Sequence, residues 1–475
     1  MPEDQSLLDN LTATTTSLAK VSLSGGARSP AQEKQQQINS LQEKREKLEI
    51  EIARQSRGYY QRGEITLEAV KAAVPTDAAL VEFVVYRPYS TNVEDIEPNG
   101  DPRYAVYVIS HDRNVEVRDL GSKKEIDEGV RAFTRALRRP ESRDFKELAQ
   151  SLDARIFRPV RALAGEKRRW ILSPDGNLNF LPFEALVDEN GHFLIGQHMI
   201  TYVTTGRDLL RMQVARPSQS GPLIVANPLF GDRDTQNVSQ NGSPPLHVGS
   251  QRRGVTVGDD LSQLFFAPLS GTALEASQLK VLFPDARILT GLQASKAALE
   301  KLDAPSILHV ATHGFFLMEE QDGKASGQKS GRITNPLLRS GLALAGANLN
   351  SGGDDNGILT ALEAASLNLW GTKLVTLSAC DTGVGEVKSG EGVYGLRRAF
   401  LLAGAQTVVT SLWPVSDYAT RRLMTDYYIG LRNGEGRGEA LRKAQLAMLG
   451  QKGRAHPFFW AGFVQFGDWT SLNGN

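Results

Sequence analysis

Polar positions dominate the first sixty residues. Residues 1–32 are rich in Ser, Thr, Ala and Gly, a composition that reads as a disordered lead-in. From Glu33 to Arg57 the chain turns Gln-, Glu- and Lys-rich. Ile38, Leu41, Leu48 and Ile52 fall there on one helical stripe at three-and-four spacing, interrupted by Arg45. Such a stripe suits a short coiled-coil seam or packing on the chain's own body. Residues 33–64 are therefore expected to form an N-terminal interaction helix, available to a regulatory or sensor protein.

The pattern changes at about Ile65. ALVEFVVY (79–86) and YAVYVIS (104–110) have the period-two character of strands, and 123–164 is helical. WILSPDGNLNFLPFEAL (170–186) gives a strand, an Asp-Gly turn and a further apolar run; YVTTGRDLLRM (202–212) reads as strand then helix. Residues 65–215 are thus expected to form one α/β subdomain. LIVAN (223–227) is a short strand ended by Pro228, and a loop-rich gap runs from about Asp232 to Gln263. Strands and helices then alternate: helix 270–282, ARILT (286–290), helix 294–302, SILHVAT (306–312), a helix near 360–367 and KLVTLSA (373–379). Helix 391–403, TVVTSL (407–412), helices 417–431 and 437–449, and FVQF (463–466) complete the series. Continuous Val/Ile/Leu runs alternating with amphipathic helices predict a mostly parallel sheet covered on both faces. Residues 216–475 make the second subdomain in this reading. The polar, Gly-rich tracts at 319–335 and 346–357 are long enough to be active-site or regulatory loops.

Composition adds mainly exclusions. A chain of 475 residues exceeds what one core normally supports. Lys+Arg and Asp+Glu both number 54, so no overall field favours nucleic acid or anionic lipid as a bulk partner. Cys380 is the only cysteine, which excludes an intramolecular disulfide and any multi-Cys metal site and fits a reducing cytoplasm. The N-terminus, MPEDQSLLDNLTATTT, lacks the basic and apolar regions of a signal peptide. The uncharged stretch between Arg398 and Asp417 contains Gly404, Gln406, Thr407, Thr410, Ser411 and Pro414, so it reads as helix end, turn and buried strand rather than a membrane span.

In open parallel sheets, functional groups collect at the carboxyl ends of strands. SILHVATHG places His313 just past one strand, and KLVTLSACDTG places Cys380 just past the next, 67 residues on. That interval fits one strand–loop–helix–strand excursion, so the two side chains can meet at adjacent strand tips. An imidazole beside a thiol can take its proton and leave a strong nucleophile near neutral pH. Gly314, Gly383 and Gly385 would let a substrate chain come close and expose N–H groups to an oxyanion. From the residues alone the inert readings stand beside this one: a small buried thiol and a structural strand-end histidine.

The strings HVATHG, LSACDTGVG, EGVYGLRRAFLLAGAQTVVTSLWPVSDYAT, ALRKAQ and HPFFWAGFVQFGDW, with SPDGNLNFLPFEAL and YVTTGRDLL before them, resemble the CHAT family. These are caspase-related, separase-like cysteine peptidases often joined to tetratricopeptide repeats. The likeness is collinear from about Ile65 to Trp469. It implies a caspase-like three-layer α/β sandwich, preceded by a second α/β subdomain and the N-terminal helix. It further implies a His313–Cys380 dyad, with the N–H groups of Gly314 and Cys380 as oxyanion hole and no cofactor or metal. Asp381 stands where the family commonly has Glu. SLWPVSDYAT is similar to the stretch of separase-type peptidases in which an acidic residue receives a basic P1 side chain. Asp417 would take that role by charge-assisted hydrogen bonds, or would merely cap the helix that follows.

Other patterns carry less. GEGVYG (390–395) matches G-x-G-x-x-G, yet about ten residues separate it from the preceding strand, so it reads as a glycine-rich loop flanking the active site rather than a nucleotide site. His309 and His313 are four apart on a strand, about 13 Å, too far to share a metal; His309 reads as a core or supporting histidine. The expected function is a cytoplasmic cysteine endopeptidase that cuts a protein partner after Arg or Lys and is gated by a partner or sensor. The alternative is a catalytically silent CHAT-like scaffold.

Overall fold

Every residue of the strands Ile307–Ala311, Leu374–Leu377 and Thr407–Ser411 is buried. Runs of this kind have no polar face to offer water, so each strand must be covered on both sides. The computed structural model describes residues 31–56, 65–89, 100–165, 167–214, 216–231, 264–317, 336–349, 356–378, 391–413 and 417–473, with short pieces at 246–247 and 254–257 and scattered positions between 10 and 21. The fold is α/β, and the chain divides into two compact units, each discontinuous in sequence.

One unit comprises residues 65–215 and 406–475. Residues 406–475, which the sequence reading grouped with 216–405, pack here with 65–215. The strands Ala78–Tyr86, Arg169–Ser173, Met199–Tyr202 and Phe463–Gly467 run parallel as successive neighbours. Antiparallel strands pair at either end of this run: Thr407–Ser411 beside Phe463–Gly467, and Arg103–Ile109 then Glu116–Ser122 beside Ala78–Tyr86. Val70, Val74, Leu80, Ile171, Val203 and Leu209 form a cluster that seats the helices Leu67–Ala73 and Arg207–Met212 on the sheet. Arg437, in the first turn of the helix Arg437–Leu449, is buried and spends its guanidinium on the Thr470 carbonyl, the Thr407 hydroxyl and the Asp468 carboxylate at 2.8, 3.0 and 2.6 Å. That fork ties helix to strand ends, and a lysine could not reproduce it.

The other unit comprises residues 1–64 and 216–405. Its main sheet has four parallel strands in the order Arg287–Gly291, Leu223–Pro228, Ile307–Ala311, Leu374–Leu377. A second sheet of very short strands, unforeseen in the sequence, runs Ile358–Thr360, Ser340–Ala343, Gly314–Leu317, Gly254–Val257. The helix Ala31–Ser56 is longer at its start than expected, and its stripe turns inward: Ile38 joins Leu18, Leu338 and Leu362 in a buried cluster, with Leu41 packed against it. The described residues between Asn10 and Val21 are helical, and Leu18 is fully buried. Part of the stretch expected to be disordered is thus ordered, because Leu18 and Val21 find apolar partners that a Ser/Thr-rich composition conceals. Among the described residues no helix is long and apolar enough to cross a membrane.

A buried ion pair and a buried carboxyl give this fold testable signatures. Lys296 and Glu363 pair at 2.7 Å, both buried, and the same carboxylate closes a capping box on Thr360. Removing one partner of such a pair strands a charge at a cost of about 3–5 kcal/mol. Lys296→Met should lower unfolding stability by about that much, and adding Glu363→Gln should restore part of it, as read by denaturant unfolding of the single and double variants. Glu184 is buried and accepts a 2.6 Å hydrogen bond from the Tyr202 hydroxyl. Burial, only partly offset by that bond, pushes its carboxyl up to about 7 from 4.5. Between those values only the folded state keeps the proton, so stability falls as pH rises through this window. The group should account for about 3 kcal/mol of that fall. Glu184→Gln should flatten the pH profile of unfolding between pH 5 and 8, and an unchanged slope would contradict the assignment.

Candidate active site

The main sheet of the second unit has a switch point. The chain leaves Leu223–Pro228 for the flank that holds Arg287–Gly291 and leaves Ile307–Ala311 for the opposite flank, where Leu374–Leu377 lies. In sheets of this topology a crevice at the carboxyl ends of the two central strands is the usual place for a site. Asn227, the last residue but one of one of these strands, has φ +47°, a left-handed conformation that Asn tolerates better than most residues. Its N–H donates to the Thr272 hydroxyl at 2.9 Å, which holds the bend.

His313 stands two residues past the neighbouring strand and is fully buried. The corner that carries it is clamped to the second sheet: the Thr312 hydroxyl donates to the Ala343 carbonyl, and the Ala343 N–H donates to the His313 carbonyl at 2.9 Å. Its imidazole packs in a three-ring cluster with Phe230 at 5.4 Å and Phe266 at 5.8 Å between centroids, the two phenylalanines being 5.9 Å from each other. Nε2 is 2.8 Å from the Ala267 carbonyl oxygen. A carbonyl can only accept, so Nε2 carries the hydrogen, and in the neutral ring Nδ1 is the basic nitrogen. The arrangement is that of an imidazole held in one tautomer by a backbone acceptor, with Nδ1 as the atom able to take a proton.

Four residues earlier, His309 faces a different partner. Its Nε2 is 3.1 Å from Glu275 Oε1 on the helix Ser270–Leu282, and both side chains are buried. This pair joins helix to strand within the core.

Gly314 opens the strand Gly314–Leu317, opposite Leu342 on one side and Gly254 on the other. The strand before Cys380 runs alongside the histidine strand, with Ile307 opposite Leu374 and Val310 opposite Leu377. Ser378 continues the pairing by donating its N–H to the Val310 carbonyl at 2.9 Å. Cys380 and Asp381 lie outside the described residues. Asp417 is the first residue of the helix Asp417–Arg432, and its side chain lies outside the described structure. The GEGVYG string is not a loop from Glu391 onward, because the helix Glu391–Leu402 takes in its last two glycines. Gly395 there faces Ser340 so closely that a Cβ would lie 2.5 Å from the Ser340 hydroxyl oxygen, a helix-packing reason for glycine rather than a phosphate-binding one.

Sequence reasoning missed Ala267, Phe230 and Phe266. Ala267 acts through a backbone oxygen, which no residue identity announces. The two phenylalanines flank the loop-rich gap, and apolar aromatics at the margins of a polar tract were the available signal.

Comparison with known proteins bears on the whole arrangement. The family model described as CHAT domain matches residues 146–468. Tetratricopeptide repeat protein 28 of Homo sapiens and that of Mus musculus are each 26% identical over 322 residues, 65% of this chain. The match spans 12% of the length of those relatives. Among solved structures, the Saccharomyces cerevisiae separase–securin complex at 2.6 Å aligns with TM-score 0.40 and 9% identity, over 84% of this chain and 31% of that one. The Arg-specific cysteine proteinase gingipain R aligns with TM-score 0.35 and 9% identity, over 73% of this chain and 75% of that one. With the family model covering well over half of its residues, the chain belongs to the CHAT domain family.

Proposed function

We propose that the chain is a cysteine endopeptidase using a His313–Cys380 dyad. The observation that supports this most is the fixed imidazole at the switch point, with Nε2 bound to the Ala267 carbonyl and Nδ1 as its base. In this reading Nδ1 takes the Cys380 proton and the thiolate attacks the scissile carbonyl carbon. The N–H groups of Gly314 and Cys380 receive the oxyanion. As the tetrahedral intermediate collapses, the C–N bond breaks and His313 returns the proton to the leaving amine. Water, activated by the same ring, then hydrolyses the thioester. No metal or cofactor takes part. Asp417 receives a basic P1 side chain, the role implied by the likeness of its segment to separase-type peptidases.

His313 is fully buried, which supports a resting state that a protein partner or upstream sensor must open. The same burial is what a catalytically silent scaffold would have, and labelling separates the two readings. Once the site is opened, an active dyad thiolate reacts quickly with iodoacetamide near neutral pH, whereas the thiol of a silent scaffold reacts slowly throughout.

Two outcomes are expected. Cys380→Ala should lower cleavage of a profiled peptide library by at least about 10³-fold while leaving the circular dichroism spectrum unchanged. Equal cleavage by parent and variant would dismiss the dyad. Asp417→Asn should reduce kcat/KM for Arg-containing substrates by about 10- to 100-fold, the worth of a charge-assisted hydrogen bond, with little change in melting temperature. An equal loss on all substrates would instead assign Asp417 to the helix cap.

A further inference from the structure

Three distant stretches of chain meet around His313: residues 229–231 bring Phe230, residues 264–267 bring Phe266 and the Ala267 carbonyl, and residues 346–349 bring Asn348. Asn348 is buried, in a tract that reads from sequence as polar loop. Its carboxamide oxygen accepts from the Phe266 N–H at 2.8 Å, and its Nδ2 donates to the Phe266 carbonyl at 3.0 Å. The side chain thereby engages both polar groups of one residue, as a neighbouring strand would. The second Nδ2 hydrogen goes to the Gly231 carbonyl at 3.0 Å, and the Asn348 N–H donates to the Phe230 carbonyl at 2.9 Å. Both Nδ2 hydrogens and the oxygen of the carboxamide are used.

Gly231 sits at φ +90°, and a Cβ there would lie 2.7 Å from Leu349, so this close approach needs glycine. Asn348 thus bonds to both the Phe230–Gly231 and the Phe266 backbones. Because Phe266 is held by its N–H and its C=O, the peptide plane that joins it to Ala267 is fixed, and the Ala267 carbonyl that meets His313 Nε2 starts from that anchor one residue further on. The two rings packed against the imidazole are carried by the same stapled residues.

The geometry points to Asn348 as a positioning residue for His313, one that fixes the Ala267 acceptor and hence the Nε2–H tautomer. Its consequence for catalysis rests on the peptidase reading above; its consequence for the imidazole does not. Aspartate has nearly the same shape but replaces the two N–H donors with acceptors facing the Phe266 and Gly231 carbonyls. Alanine removes the staple without that repulsion.

The test uses full-length protein labelled with ¹⁵N-histidine, with resonances assigned through His313→Gln. In the parent, His313 should show a downfield, slowly exchanging Nε2 proton; its absence would overturn the proposal without any variant. In Asn348→Asp that resonance should vanish, and in Asn348→Ala it should weaken and exchange faster, with the remaining histidines unmoved. A folded Asn348→Asp protein that keeps the parent resonance would equally overturn it. On a substrate found by library profiling, Asn348→Ala should lower kcat by about 100-fold with KM nearly constant, the signature of misplacement rather than lost binding. The ring proton is read without turnover. Failure of the peptidase reading would therefore leave the spectroscopic result standing, whereas an unchanged spectrum in an active Asn348→Asp enzyme would remove the positioning role alone.

Discussion

A buried imidazole must place its N–H on an acceptor or lose the hydration that N–H enjoyed in water, a cost of about 1–3 kcal/mol. His313 meets this demand through the Ala267 carbonyl, and much of the surrounding structure is explicable as what keeps that carbonyl in place. The acceptor lies in a segment with little regular structure of its own, so its position must come from elsewhere. Asn348 supplies it from one side. The corner at Thr312 and His313 is held from the other by strand Ser340–Ala343, whose neighbour Ile358–Thr360 leads into the helix closed by the Thr360–Glu363 capping box. Glu363 in turn depends on Lys296. The chain from Lys296 to His313 is a series of satisfied buried polar groups, and such a series stays rigid only while every member is present.

The same economy explains where the fold places its other buried polar pairs. His309–Glu275 and Lys296–Glu363 each join a helix to another element of the unit that holds the crevice, and Arg437–Asp468 joins helix to strand exit in the other unit. Burying ion pairs rarely adds net stability over apolar packing. Their value is geometric: an apolar contact tolerates sliding, whereas a bidentate or capped carboxylate does not. A helix that slid along its strand would displace the residues at that strand's carboxyl end, and in one unit those include Phe230 and His313.

Much of the core architecture was legible because continuous apolar runs such as SILHVAT and KLVTLSA can only be covered strands, and the observed strands Ile307–Ala311 and Leu374–Leu377 fall inside them. What was not legible had weak patterns for physical reasons. Glu116–Ser122 is a partly exposed edge strand with few apolar residues, held by pairing with Arg103–Ile109 rather than by its own burial. GFFL, SGLA and ILT are too short for a period to register, and two of them contain glycine. The return of residues 406–475 to the first unit depends on which neighbour a strand chooses, and pattern reading does not constrain that choice. At the crevice, His313 could be found because it is a rare residue at a strand tip. The groups that hold it are a backbone oxygen and an asparagine in a glycine-rich tract, and both look like loop until the chain is folded.

A fully buried His313 also sets limits on how the proposed activity can be controlled. A substrate backbone cannot reach Nδ1 or a thiol beside it while the crevice is closed, so turnover scales with the fraction of molecules that are open. If about 1% of molecules open spontaneously, basal activity is about a hundredth of the maximum. A partner that drives the population almost wholly open must bind the open form about 10⁴-fold more tightly than the closed one. A difference of that size, about 5.5 kcal/mol, is more than one surface ion pair provides. It is within reach of a contact that buries a few large apolar side chains. The cluster of Leu18, Ile38, Leu338 and Leu362 is of that scale, and it joins the N-terminal helices to Leu338, just before the strand that clamps His313, and to Leu362 in the capped helix. A sensor that took up the Ile38 face of the helix would have to separate it from Leu338 and Leu362, and would thereby act on the Ser340–Ala343 strand directly.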